Sequence, residues 1–593
     1  MEKKNILNIG KIVIIVFSAY SVMANFIPFY EGSNPYFYGV NSVLFAEGRF
    51  SITNELLQET GLREFVPENW LITIHNTAVP TAGTGLMTMG AIFFLIGGYY
   101  SLFYLAPISY IILLVVSERV STKLFGKYVG LMTLLILSSS NLLFRNSIQL
   151  QTESIFSLLF IIGIFYLIKF LKSKKNLDLL ITTSVFTLAT WFRLNGLVAF
   201  PLEIFVILIC FLFQVLKKEK YSYMINTDDS FETTNSFRII LKKIKSKKTL
   251  KMLIILLIPW FIFLSSHTVY HEYNFGDPLT NYGAEQGFTN YDSSLSAVFK
   301  FEYKDYENIK QYSKYLLPYQ IPAIYNSSDA NFDNVLGNNW IGLISIGSLL
   351  AITTISFYTK DKRTEIFVLM MFILGIVWFF SSITLEHRAE RGVPGRYMLP
   401  AFILSSMIFG YFLQKIIKKE VSKEKPILKI LIKFSKIILI VILGIFFILA
   451  FYFSNPIQII IEEGWNFKNP EELVKRYPLS LEGLTEDSVI VTNVGVRAVE
   501  YGFISFNPML TKQISSDSVN LLEKIIKEGY DVNTFKIPFN VHEKNMINSL
   551  VNEHGFTLKD YSKTFCKMEL SSYDKSISDE NCINNEPIRK PKT

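Results

Sequence analysis

The sequence predicts a polytopic α-helical membrane protein, and three observations predict it. Half of its 593 residues are hydrophobic and 15% aromatic, with a mean hydropathy of +0.32, more apolar than the core of a soluble protein of this size requires. Uncharged runs long enough to cross a bilayer recur along the chain. The loops between them alternate between lysine-rich and lysine-poor. Together these predict about eleven spanning helices, interfacial helices in the first external loop, and a small polar α/β domain at the C-terminal end. The net charge of +8 does not point to nucleic acid, because the lysines gather just beyond apolar runs, as anchors against anionic lipid do. The bilayer is the partner this charge implies. Three cysteines exclude a disulfide-built scaffold, and none has the spacing of a zinc or redox motif.

The elements follow in order. The run 12–30 is preceded by Lys3, Lys4 and Lys11; it is long for a signal-peptide core, so it reads as an uncleaved first span. Further spans are expected at 100–116, 128–144, 154–168, 179–192, 194–216, 252–270, 338–359, 366–385, 397–414 and 437–461. Several fall short of about 20 residues, which tilt and snorkelling neighbours such as Lys169 accommodate. The stretch 69–117 is uncharged and has room for two crossings. If only 100–116 crosses, the basic stretches 119–127, 172–175, 217–251, 360–363 and 415–436 all lie on one side with the N-terminus. If 85–97 crosses as well, every later basic loop turns outward, against the positive-inside rule. The segment 85–97 is therefore read as interfacial or re-entrant, and the N-terminus as cytoplasmic.

This topology makes 1–461 a transmembrane domain with external loops 29–99 and 271–338. It leaves 462–571 as an extracytoplasmic α/β domain and 572–593 as a disordered tail. Strands are expected near Asp487, Asp531 and Phe565, with helices from Val519 and near 544–551. No internal repeat, Walker loop or Rossmann fingerprint is present. Enzymes acting on substrates outside the membrane keep such long outer loops, whereas transporters keep them short.

The outer surface then collects a particular set of residues. Glu31 follows the first span, Arg145 and Glu153 bound the loop RNSIQLQTES, and Arg193 with Asn195 lies in WFRLNG. EHRAERGVPGRYMLP adds Arg388, Arg391 and Arg396 where the charge rule expects few cations. Arginines at this depth suit a lipid phosphate, through a planar fork of donors. Carboxylates on the same side suit the complementary task of taking a proton from an attacking hydroxyl. Each residue also has a plainer reading: Glu31 as a solvated loop group, Glu153 as a helix N-terminal residue favoured by the dipole, Arg193 as an interfacial anchor. Glu203 lies roughly 10 Å into a span, where it is expected to face a polar cavity or an arginine, or to be protonated beside Pro201. His267 and His271 stand one helical turn apart without an evident third ligand; no cofactor is specified by the sequence, and a divalent metal stays open without being indicated. Cys566 and Cys582 are both expected outside, either bridged or free.

At this point the arrangement resembles a family. The first loop with Tyr38, Leu44 and Gly48, the turn ERVSTKLFGKYVGL from Glu118, RNSIQLQTES, WFRLNGL, FGDPLTNYG from Phe275 and GRYMLPAF from Gly395 look, in order and sidedness, like the C-type glycosyltransferase fold. The nearest group is family 39, the relatives of protein O-mannosyltransferases and aminoarabinose transferases. The resemblance covers roughly residues 10–415 and implies a polyprenyl-phosphate-linked sugar donor, transfer on the extracytoplasmic face and inversion at the sugar carbon. It implies Glu31 as candidate base and Glu153, at the second acidic position, as a catalytic residue orienting the acceptor or a metal. Asn34, Tyr38, Arg145, Arg193, Asn195, Glu203, Arg391, Arg396 and Tyr397 are the substrate-binding candidates. The family's first-loop base is an aspartate; Ser33 and Asn34 stand about there instead. Three readings stay open: Glu31 takes the role, the base lies elsewhere, or the chain binds lipid-linked sugar without transferring it. A transporter would need polar groups inside the spans, and apart from Glu203 the sequence offers almost none. The acceptor is left unspecified, whether protein, lipid or glycan.

Overall fold

The computed structural model describes residues 2–25, 33–49, 55–60, 62, 71–74, 77–80, 84–140, 143–144, 146–193, 196–197, 199–204, 207, 247–275, 366, 369–370, 373–374, 399–418, 484, 488–492, 504–508, 514–536, 541–561, 565–570 and 582. The N-terminal elements are α1 (Glu2–Asn25), α2 (Ser33–Ala46), α3 (Glu55–Thr60), a two-stranded antiparallel ribbon of β1 (Leu71–Ile74) and β2 (Thr77–Pro80), and α4 (Thr84–Gly97). Then come α5 (Ser101–Phe125), α6 (Lys127–Ser138), α7 (Glu153–Ser173), α8 (Asn176–Phe192), α9 (Lys247–Phe275) and α10 (Leu399–Lys418).

Four of these helices contain apolar stretches long enough to cross a membrane: Leu7–Asn25, Ser101–Phe125, Glu153–Ser173 and Leu250–Val269. Their outer faces show the expected periodicity. α1 exposes Ile9, Ile12, Val13 and Val16, each by about 60%, at helical spacing along one stripe. α9 exposes Leu253, Ile254, Leu257, Ile258, Phe261 and Ile262. Such stripes are costly in water and ordinary against hydrocarbon. The inner faces pack into one core with Tyr110, Phe125, Phe144, Phe160, Phe186, Trp260 and Phe402. α7 and α8 pack closely because Gly163 leaves the room that the Phe186 ring fills: a Cβ there would stand 2.5 Å from that ring.

One sequence expectation changes here, and one helix is found where it was expected. The turn expected from Glu118 is helical as far as Phe125; the chain reverses at Gly126, whose φ of 113° is open to glycine, and α6 begins at Lys127. The helix continues because ERVSTKLF contains no breaker. Glu118 consequently lies inside the bundle, paired with Lys11 of α1 and accepting a 2.6 Å hydrogen bond from Thr122 Oγ1. The segment expected at 85–97 is a separate helix, α4, which meets α5 through a turn at Gly98 with φ of 71°. It is shorter than a full crossing. The spans expected at 338–359 and 437–461 and the loop 271–338 fall almost wholly outside the described residues.

The C-terminal elements are β3 (Val489–Val491), β4 (Ile504–Phe506), α11 (Ser516–Lys527), β5 (Val532–Phe535), α12 (Val541–His554), β6 (Phe556–Asp560) and β7 (Phe565–Leu570). They form a five-stranded sheet in the order β4-β3-β5-β7-β6. β3 pairs in parallel with β4 and β5, whereas β7 runs antiparallel to β5 and β6. Parallel strands need crossover connections, and α11 lies within the one between β4 and β5. Its start is capped by the Ser515 hydroxyl, which accepts from the Ser518 N–H. A disulfide joins Cys566 of β7 to Cys582, deciding between the two readings the sequence left open. Sheet residues share one hydrophobic cluster with Val40 and Leu44 of α2, Leu86 and Met87 of α4, and Leu150, Ile155 and Phe192.

Candidate functional site

Two acidic and basic residues singled out by sequence meet in space. Glu153 is the first residue of α7, and Arg193 is the residue on which α8 ends. Arg193 Nη1 donates a 2.7 Å hydrogen bond to Glu153 Oε1; the side chains are 13% and 3% exposed. Such a pair is far from the solvated surface bridges that contribute little. Burial makes each charge depend on the other, since either one alone would be an uncompensated buried ion. The carboxylate also occupies the first turn of α7, where the helix dipole favours it. The helix N-terminal reading of Glu153 therefore describes its position.

The local chain is built to hold this pair. In the loop before α7, the Ser147 and Ser154 hydroxyls lie 2.8 Å apart, and Gln151 Nε2 donates to Gln149 Oε1 at 2.8 Å. Gln151 Oε1 is buried and has no hydrogen-bond partner among the described residues. After α8, Arg193 takes an extended backbone and its carbonyl accepts from the Gly196 N–H at 2.8 Å. Gly196 folds back so closely on α8 that an added Cβ would stand 2.7 Å from Thr190 Cα.

The first-loop helices reach the same place. Gly85, in the first turn of α4, lies against the backbone of Trp191 and Phe192; a Cβ there would be 2.8 Å from the Trp191 carbonyl. Trp191 Nε1 donates to Thr84 Oγ1 at 3.0 Å. α2 in turn packs on α4, with Ser42 filling the space beside Gly90. α2 carries Tyr38, which is half-buried and whose carbonyl accepts from Ser42 Oγ at 2.6 Å. Asn34 lies on the first turn of the same helix, with its side chain outside the described residues. Neither the Gly85–Trp191 approach nor the Thr84–Trp191 bond was found by sequence reasoning. The signal was present in the small residues of TGLMTMGA, whose glycines at 85 and 90 leave room for close approach.

Glu203 stands apart from this cluster. It is fully buried, and the expected arginine or polar cavity is replaced, among the described residues, by an indole: Trp260 Nε1 of α9 donates to Oε2 at 2.8 Å. The other oxygen, Oε1, has no hydrogen-bond partner among the described residues. Trp260 was missed because its indole N–H is mid-span, between apolar neighbours, whereas tryptophan at a membrane is usually read as an interfacial anchor. His267, one of the histidines considered as a metal pair, stacks on the Phe263 ring at 5.7 Å. No group of three metal-ligating side chains occurs among the described residues. Glu31, Arg145, Asn195, Arg388, Arg391, Arg396 and Tyr397 lie outside the described residues.

Chemically, the buried pair is a guanidinium, a group type suited to a phosphate, and a carboxylate that accepts from it. Glu153 is thereby placed to orient Arg193 rather than to act as a free base.

No protein-family model matches the chain, and no curated protein matches it. Among solved structures it is similar to ArnT from Cupriavidus metallidurans bound to undecaprenyl phosphate, at 10% identity and a TM-score of 0.49, over 95% of this chain and 98% of that one. It is also similar to the Archaeoglobus fulgidus oligosaccharyltransferase in complex with Zn and sulfate, at 11% identity and a TM-score of 0.45, over 94% and 72% of the two chains. The oligosaccharyltransferase AglB of the same organism, in complex with an inhibitory peptide and a dolichol-phosphate, is similar at 11% identity and a TM-score of 0.42, over 95% and 74%. With TM-scores under 0.5, the function has to be read from the chain's own side chains.

Proposed function

We propose that this chain is an integral membrane glycosyltransferase that moves a sugar from a polyprenyl-phosphate carrier to an acceptor on the extracytoplasmic face. The observation that carries this is the buried Glu153–Arg193 pair, held where two helices end and begin. Loop charge puts that end of the helices outside. In this reading Arg193, with Arg145, Arg391 and Arg396, holds the lipid phosphate, and Glu153 fixes the direction of the Arg193 fork. Glu31 takes the proton of the acceptor hydroxyl as its oxygen attacks the sugar carbon. The bond from that carbon to the phosphate oxygen breaks, and the phosphate leaves with the electron pair, its charge met by the arginines. Attack opposite the leaving phosphate inverts the sugar carbon. Asn34, Tyr38, Asn195 and Tyr397 complete the substrate surface; Glu203, fully buried and bonded to Trp260, is not assigned to it.

Two further observations support the placement. The Cys566–Cys582 disulfide suits a C-terminal domain in an oxidising, extracytoplasmic compartment. That domain also shares its apolar cluster with α2, α4 and the residues flanking the pair, so it stands where it could shape acceptor access. The test offers membranes a radiolabelled polyprenyl-phosphate sugar and compares wild type with Glu31→Gln, Glu153→Gln and Arg396→Ala. Label transfer lost in these variants is expected. Transfer that survives all three removes this site; donor binding without transfer by the wild type favours a lipid-linked-sugar binding protein.

A further inference from the structure

Glu203 poses a problem of cost. A fully buried carboxyl in a helix bundle loses its hydration, and in return it has one hydrogen bond, from the Trp260 indole, with its second oxygen unpartnered among the described residues. An apolar residue of similar size would serve packing as well or better. What the carboxyl adds is direction. Apolar helix faces in a membrane slide and rotate at little cost, whereas a buried polar contact fixes one register.

The register it fixes leads back to Arg193. Only ten positions separate Arg193 from Glu203, and the described residues at both ends of that stretch are held by contacts. Its start is held by the Gly196 N–H bond to the Arg193 carbonyl and by the close approach of Gly196 to Thr190. Its end is the helical stretch 199–204, where Phe200 meets the Trp260 ring edge-on at 5.3 Å and Glu203 accepts the hydrogen bond of the indole N–H. On the other side, Gly85 of α4 abuts Trp191 and Phe192. The turn that presents Arg193 is thus fixed from α4, from α8 and, through Glu203, from α9.

We propose that Glu203 is a positioning residue: its hydrogen bond to Trp260 sets the turn at 193–196 against α9 and so fixes where Arg193 meets the lipid phosphate. This rests on the function proposed above, so its test has one arm that needs no turnover. Spin labels at Leu197→Cys and Phe261→Cys, in a background lacking Cys210, report the distance between the turn and α9. The distribution is expected to be narrow in the wild type and in Glu203→Gln, which keeps a carbonyl acceptor for the indole. It is expected to broaden in Glu203→Leu and in Trp260→Phe. The second arm measures transfer from a polyprenyl-phosphate sugar. Glu203→Leu is expected to raise KM for the donor about tenfold with kcat little changed, while its thermal midpoint stays at or above that of the wild type, as replacement of a buried polar group by an apolar one allows. Glu203→Gln restores KM. An unchanged distance distribution in Glu203→Leu overturns the proposal whether or not the protein transfers sugar. So does a broadened distribution with unchanged KM. A wild type that transfers nothing counts against the glycosyltransferase reading alone, and the distance arm then decides the fate of the positioning contact.

Discussion

Replacing Arg193 by alanine should be among the most damaging single changes in the described part of the molecule. The 2.7 Å contact joins side chains 13% and 3% exposed, so little solvent screening applies. At an effective dielectric of about 20 the attraction is on the order of 5 kcal/mol, and most of it offsets the desolvation of the two ions. Removing the arginine leaves the cost without the attraction: Glu153 remains in place, stripped of its principal counter-charge. That predicts a loss of about 3–5 kcal/mol. Glu153→Gln should cost less, about 1.5–3 kcal/mol, because the amide oxygen still accepts from Arg193, and the guanidinium lies closer to water. The double variant should lose well under the sum of the two, since the second change removes a group that the first had left unpaired. Denaturant titration of the purified protein in detergent, followed by tryptophan fluorescence, measures all three. Additive losses, or an Arg193→Ala protein as stable as the wild type, would refute the reasoning.

Other expectations follow from particular contacts. Gly85→Ala puts a methyl 2.8 Å from the Trp191 carbonyl and 2.9 Å from the Phe192 nitrogen; as both are backbone atoms, a loss of about 1–3 kcal/mol is expected by thermal unfolding, together with weaker donor binding. Cys566→Ser opens a bridge between residues 16 apart in sequence; unfolding of the C-terminal sheet should become easier by about 3 kcal/mol, and limited proteolysis should cut it sooner. Asp178, just before its apolar run, accepts from Lys169 at 2.7 Å and Ser173 at 2.6 Å, and these bonds hold its carboxyl below its usual value. A lowered value in the folded state means that the stabilisation is present above the unfolded pKa, near 4, and fades as pH falls through the folded one. Asp178→Asn should therefore flatten the acid limb of the stability–pH curve, and an unaltered limb would count against the contact.

Much of the helical layout was legible in the sequence because one physical rule, apolar length against bilayer thickness, governs it: 154–168 and 179–192 lie inside α7 and α8. Glu153 and Arg193 were legible as candidates because charge at a membrane's outer edge is an exception that asks for a cause. Their pairing was not, since 40 positions separate them and no local period encodes a contact between two helix ends. Glu118 was read as part of a cytoplasmic turn because its neighbours Arg119 and Lys123 are charged; its burial against Lys11 depends on where α1 packs, which sequence does not state. β4 and β6 were missed for a different reason. ISF and FTLKD are too short to show alternation, and their strand geometry comes from pairing with β3 and β7.

The outward position proposed for the Glu153–Arg193 pair carries the rest of the account, and α7 allows a direct test of it. Its 21 residues span about 30 Å, enough to cross the hydrocarbon once, and in the proposed topology its two ends lie on opposite faces. Lys175, exposed just beyond the far end, is the place to probe. In intact cells, Lys175→Cys in a background lacking Cys210 should resist a membrane-impermeant maleimide and react once the membrane is permeabilised. Reaction from outside in intact cells would put Glu153 and Arg193 in the cytoplasm and contradict a lipid-linked-sugar site on the outer face.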